Sequence, residues 1–165
     1  KRQIFLIKKA IGMTSEERLK ELGIELFTDI RPIGSYVPFV RAGNLVYVSG
    51  QGPSIKGKYI DYIGKVGDGI SKEKAKEAAR ATAVNLISVL KNAVGDLDRI
   101  ERIVSIHGFV NSTPDFTEQP YVIDGASELL VELFGEKGRH ARCAVSAPSL
   151  PLGICVEIEL IAEIR

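Results

Sequence analysis

The sequence predicts an α+β fold, one β-sheet carrying two helices on one face. Three observations lead there. Two long segments, 71–95 and 121–138, place apolar residues at three- and four-residue spacing. Six shorter runs rich in Val, Ile and Tyr, bounded by glycine or proline, read as strands. Their order, β-β-β-α-β-α-β-β, runs through the 165 residues without a composition break or a repeat, a length suited to one domain with a sizeable core.

Taken in order, "TSEERLKELG" predicts a short helix: Thr14 and Glu17 have capping-box spacing, Leu19 and Leu22 share a face, and Gly23 stops it. A hairpin follows, with strands over 36–41 and 45–49 around the turn Ala42-Gly43-Asn44, broken by Gly50, Gly52 and Pro53. "GKYIDYIGKVG" is a third, shorter extended piece. The first long helix is capped by Ser71, striped by Ala75, Ala78, Ala79, Thr82, Leu86, Val89, Leu90 and Ala93, and ended by Gly95. Its Lys/Glu face reads as a solvated surface. A buried strand over 100–110, a loop over 113–120 and the second helix come next, the helix burying Val122, Ala126, Leu129, Leu130 and Leu133. Two final strands, 141–147 and 154–164, are joined by "APSLPLG". The last carries Val156, Ile158 and Leu160 on one face and Cys155 and Ile161 on the other, so both faces are partly apolar and association through the sheet is expected.

Composition excludes several function classes. The chain is 45% hydrophobic and 26% charged, with 22 basic and 21 acidic residues and a net charge of +1. That balance argues against a general nucleic-acid or membrane surface, both of which want a basic excess. No apolar run reaches the roughly 18 residues of a membrane-spanning helix. The two cysteines, Cys143 and Cys155, are too few for a disulfide framework and lack metal-ligand spacing, so reduced, half-buried thiols in a cytoplasmic protein are expected. "KRQIFLIKKAIG" precedes the only methionine, Met13; residues 1–12 read as an artificial or mis-assigned extension, and the domain as 13–165.

Phosphate-loop, nucleophile-elbow and zinc-protease signatures are absent. His107 falls in a buried strand and reads as a satisfied core histidine. More suggestive are Arg142, Glu157 and Glu159, charges set inside the two closing strands, where charges are uncommon. If those strands form a hairpin centred between Leu150 and Pro151, Arg142 lies opposite Glu159 and all three share a face; a slip of one residue would move Arg142 to the other. Two readings stay open: a cross-strand ion pair, or an arginine that grips a carboxylate beside a glutamate that orients or deprotonates water.

Four stretches, "IGSYVPFVRAGNLVYVSGQGP", "GDLDRIERIVSIHGFVNSTPDF", "ARCAV" and "LPLGICVEIELIA", resemble the RidA family, also called YjgF or endoribonuclease L-PSP. The resemblance spans 14–164 and is strongest to a longer subgroup with "GFVNSTPDFTEQPYVIDGASELL" and "GRHARCAV". It implies a chorismate-mutase-like fold and a homotrimer with inward-facing sheets and three inter-subunit clefts. It also implies cofactor- and metal-independent hydrolysis of 2-imino acids, or their enamine tautomers, to 2-keto acids and ammonia, a 2-iminobutanoate/2-iminopropanoate deaminase-like activity. Matched by motif, Arg142 would hold the substrate carboxylate and Glu157 would orient the attacking water. Tyr36 would be a cleft tyrosine from the neighbouring subunit, Ser49 and Gly50 would line the cleft, and the backbone at Ala144 would help hold substrate or water. Glu159 is then a structural partner.

The sequence departs from the better-known branch at Ser35, where proline is usual, at Cys143, often serine, and near Pro120, where that branch has asparagine. These positions touch the cleft rim, which leaves the identity of the carboxylate-bearing substrate open. Two further readings attach to the family: an endoribonuclease or translation inhibitor, against which the near-zero net charge argues, and a non-catalytic small-molecule-binding trimer.

Overall fold

The computed structural model describes residues 12–28, 32, 34–55 and 58–165, so all but the last of the expected extension 1–12 lies outside the described residues. Helix α1 (Ser15–Leu22) has the expected capping box: Thr14 and Glu17 each accept from the other's backbone N–H, and Gly23 closes the helix in the left-handed region. Strands β1 (Phe39–Ala42) and β2 (Leu45–Gln51) form the hairpin.

The third extended piece does not join the main sheet. It becomes a 3₁₀ turn (Ile60–Tyr62) and two two-residue strands, β3 (Lys65–Val66) and β4 (Gly69–Ile70), which pair with each other; single bridges, Val66 with Ser112 and Ile63 with Ile154, tie the segment to the rest of the fold. Gly64 and Gly67 take positive φ there, which breaks the segment into short pieces.

Helix α2 (Lys72–Val94) and helix α3 (Gln119–Phe134) cover one face of a five-stranded sheet of order β1-β2-β7-β5-β6, where β5 is Ile100–Asn111, β6 Ala141–Ala147 and β7 Val156–Ile164. The predicted apolar stripes are the buried ones; only Ala93 remains partly exposed. The helices approach closely, since a Cβ at Gly125 would lie 2.0 Å from the carbonyl oxygen of Lys76. The Lys/Glu face is a cross-helix ladder rather than simply solvated: Lys72–Glu118 (2.8 Å), Lys76–Glu128 (2.9 Å) and Arg80–Glu132 (2.7 Å) repeat every turn. Among the described residues no helix is long and apolar enough to cross a membrane.

The expected closing hairpin does not form. Strand β5 lies between β6 and β7, parallel to β6 and antiparallel to β7. Residues in register point to one face. Leu160, Ile106 and Arg142 make one row, and Ile158, Gly108 and Ala144 another. Both face the helices: a Cβ on Gly108 would meet Ile123 of α3 at 2.5 Å. The open face carries the rows Glu157–Phe109–Val145 and Glu159–His107–Cys143. Val40, Tyr47, Phe109 and Val145 are exposed on it, an apolar surface of the kind that marks an interaction site.

Candidate functional site

The site begins with a register fault. Between Val48 and Gln51, β2 spends one more residue than β7 does between Leu160 and Ile158, a β-bulge at Ser49–Gly50. Bulges of this kind re-aim a strand. Here it brings the backbone of Gly50 against the carboxylate of Glu157; a Cβ at Gly50 would sit 2.3 Å from Glu157 Oε1. The two sequence candidates are therefore neighbours, and a side chain at position 50 would displace the carboxylate that Gly50 faces.

Glu157 looks into a hollow of about 140 Å3, whose lining includes Tyr36, Pro38, Gly50, Gln51 and Gly52. Half-buried, it has no hydrogen-bond or ion-pair partner among the described residues. Its carboxyl is pushed above its ordinary value, chiefly by burial and then by the negative charge of Glu159. An unpaired carboxylate with a raised pKa in a hollow is a candidate functional group. Tyr36 lines this same hollow within its own chain, beside Glu157. Ser49 lies at the bulge but does not line the hollow; its hydroxyl donates to the carbonyl of Val37 (2.7 Å) and holds the segment that carries Tyr36.

Arg142 is elsewhere. The sequence reading put it on one face with Glu157 and Glu159; the intervening strand β5 reverses that and turns it toward α3. Its Nη1 donates to Asp124 (2.6 Å) and to the Ser127 hydroxyl (3.2 Å). Ser127 and His140 Nε2 are 3.0 Å apart, and His140 Nδ1 is 2.6 Å from the carbonyl of Gly138. One arrangement satisfies every group: neutral His140 donates from Nδ1 and accepts the Ser127 proton at Nε2, leaving the serine oxygen to accept from Arg142. Burial, the first cause, holds the His140 pKa below its ordinary value, with the Arg142 charge acting the same way, which favours that neutral form. The Nε and Nη2 groups of Arg142 have no partner among the described residues. Ala144 shares this face and packs partly against the core, also away from the hollow.

The other charged residue finds a different partner. Glu159 lies 2.7 Å from His107 Nδ1 on the open face, so its partner is a histidine and not Arg142. His107 itself is exposed rather than a core histidine, because its position in β5 faces away from the helices. The thiols split as well: Cys143 is exposed and Cys155 buried, where desolvation pushes its pKa up to about 11. Among the described residues no cluster of three His, Cys, Asp or Glu could hold a metal ion.

Sequence reasoning missed Asp124, Ser127 and His140 as the setting of Arg142, and Tyr59 and Leu152 as walls of the hollow. No local signal marks them. Each reaches its place through strand order or loop path.

The comparisons with known proteins decide the family. A family model described as "YjgF/chorismate mutase-like, putative endoribonuclease" matches residues 16–164. The chain belongs to this family. Among its YjgF relatives, Protein TCP17 of Trypanosoma cruzi is 43% identical over 150 residues, covering 89% of this chain and 92% of that protein. A crystal structure of Atu1372 from Agrobacterium tumefaciens, described as of unknown function, shares 47% identity with a TM-score of 0.85 and 92% coverage of both chains. An endoribonuclease-named structure from Shewanella oneidensis gives 37% identity and a TM-score of 0.88, covering 92% of this chain and all of that one. Other structural neighbours with the YjgF fold carry endoribonuclease and translation-inhibitor names.

Proposed function

We propose that this YjgF-family chain hydrolyses reactive 2-imino acids to 2-keto acids and ammonia, without metal or organic cofactor, in clefts between the subunits of a cytoplasmic homotrimer. The observation that carries the reading is Glu157, a half-buried carboxylate with no partner among the described residues, facing a hollow built by Tyr36 and the Gly50 bulge.

An iminium carbon is already electrophilic, so the protein need supply only position and a proton acceptor. Glu157 accepts a proton from water as its oxygen bonds to the imine carbon, giving a neutral carbinolamine. The same proton then passes to the nitrogen, and as the C–N bond breaks Glu157 takes the hydroxyl proton, so that the C=O bond forms and ammonia leaves. Glu157 returns that proton to the released ammonia, and the reaction balances as iminium plus water to 2-keto acid plus ammonium. Arg142 holds the substrate carboxylate through the unpartnered Nε and Nη2 pair, with Asp124 and Ser127 fixing the guanidinium by its other nitrogen.

One chain does not supply both ends, since Arg142 and Glu157 lie on opposite faces of the sheet. Arg142 sits on edge strand β6, where a second copy can approach; its neighbour would bring Tyr36, Gly50 and Glu157. The exposed apolar residues of the open face fit burial against other copies. Ala144, two residues along β6, would add backbone contacts to substrate or water.

The test is direct. 2-Iminopropanoate made in situ by D-amino-acid oxidase should disappear faster with the wild-type protein. Arg142→Ala should abolish the acceleration and Glu157→Gln should lower it about 100-fold or more. No acceleration by the wild type, or full acceleration by either variant, refutes the reading.

A further inference from the structure

Leu152 is the only non-glycine residue with positive φ among those described, at φ 59 and ψ 8. A branched side chain in this region is strained, where glycine or asparagine would not be. The strain is held from several sides. Pro151 precedes it and Gly153, at φ 71, follows. The Gly153 N–H donates to Leu150 (3.0 Å), and its carbonyl accepts from Gly64 (2.8 Å). Lys65 Nζ donates to the carbonyl of Pro148 (2.6 Å), and the Cys155 N–H donates to Tyr62 (2.9 Å).

The core gains little from this arrangement, for Leu152 is 61% exposed. It is instead held at the edge of the hollow that Glu157 faces, alongside Tyr59, Pro151 and Ile154. Strain that persists because its surroundings impose it points toward function. The chemistry of the wall says which function. Glu157 is the only charged residue among the described lining residues. Among the described lining residues there is no cation to receive an acidic group; besides Glu157, Gln51 and the glycines they are two tyrosines, prolines, Leu152 and Ile154. The volume, about 140 Å3, is close to that of an engineered apolar cavity of about 150 Å3 that takes up benzene.

We infer that Leu152, with Tyr59, Pro151 and Ile154, forms a side-chain subsite that selects substrates bearing an uncharged, branched aliphatic or aromatic group next to the reacting carbon. The inference rests on the proposed imine hydrolysis for its location, and it names the substrate class that reaction takes. Leu152 determines specificity; it has no part in the chemical step.

Leu152→Asn and Leu152→Gly test it, because both residues accept the left-handed backbone and the fold should persist. Two readouts are taken on wild type and variants: turnover of the imines made from D-leucine and D-alanine, and calorimetric binding of 4-methyl-2-oxopentanoate, pyruvate and 2-oxoglutarate. The ratio of kcat/KM for the leucine-derived to the alanine-derived imine should exceed ten in the wild type. It should fall about tenfold in both variants, through KM, as expected for loss of one well-placed apolar contact. Binding should rank 4-methyl-2-oxopentanoate first and 2-oxoglutarate last, with the same loss of preference. If no imine is turned over but that binding preference appears and disappears with Leu152, the hydrolase reading fails and the subsite stands. Ratios that do not move, tighter binding of 2-oxoglutarate, or variants that dissociate in gel filtration with preference intact overturn the subsite; the last result would assign Leu152 to a subunit contact.

Discussion

A single methyl group at Gly50 probes whether the position of Glu157 matters. In Gly50→Ala the new Cβ would fall 2.3 Å from Oε1 and 3.2 Å from Cδ of Glu157. Ordinary contact lies near 3.5 Å, so the carboxylate must retreat by about 1 Å. No hydrogen bond holds it and it borders open space, so it can move without disturbing the core. The backbone of Gly50 is not left-handed, and alanine at such a position stabilises by about 0.4–1 kcal/mol through the unfolded chain. The unfolding temperature should therefore stay within about 3 °C of wild type. Misplacing a reacting group by about 1 Å costs about 100-fold in rate, or about 2.7 kcal/mol of barrier. The assay is kcat/KM on 2-iminopropanoate beside a thermal melt. A folded variant with wild-type activity refutes the role given to the Gly50–Glu157 contact, and a variant that unfolds shows that the contact serves the fold instead.

Removing the charge of Glu157 should raise stability while lowering activity. Its folded-state pKa lies above the unfolded value, so ionisation disfavours the fold: the penalty is absent well below about pH 4 and grows as pH rises through the folded pKa. Glu157→Gln should thus melt higher than wild type at pH 7, with the gap closing near pH 3; a gap independent of pH would refute this. Wild-type kcat/KM should fall on acidification through the same raised pKa, because the base must be ionised. At the helix crossing, Gly125→Ala places a Cβ 2.0 Å from the Lys76 carbonyl oxygen and 3.2 Å from the Arg80 nitrogen. These are main-chain atoms that cannot step aside, so the loss should be about 3 kcal/mol, lowering the melting temperature by about 6–12 °C; a drop under about 2 °C would show that the helices part freely.

Motif and family resemblance named the candidate residues, and the structure brings some of them together. Glu157, Gly50 and Tyr36 do meet in one hollow, and Ser49 supports it. The pairing of partners was not readable. Glu159 meets His107 because β5 is the neighbour of β7, and Arg142 meets Asp124 because its row faces α3. Both facts depend on which strand lies beside which. The left-handed backbone at Leu152 was not readable either; Pro151 and Gly153 flank it in sequence, but the contacts of Gly64, Lys65 and Tyr62 with its loop come from the tertiary structure.

The sequence by itself determined the elements: two amphipathic helices with their caps, the first hairpin and its turn, and the strands that carry the charged residues. Those properties follow from side-chain periodicity and backbone preference within a few residues. Only the tertiary structure decided the order β1-β2-β7-β5-β6, and with it the face on which each charge lies. A strand's two faces differ by one residue of register, and the partner that sets that register for Arg142 is β5, more than thirty residues earlier in the chain.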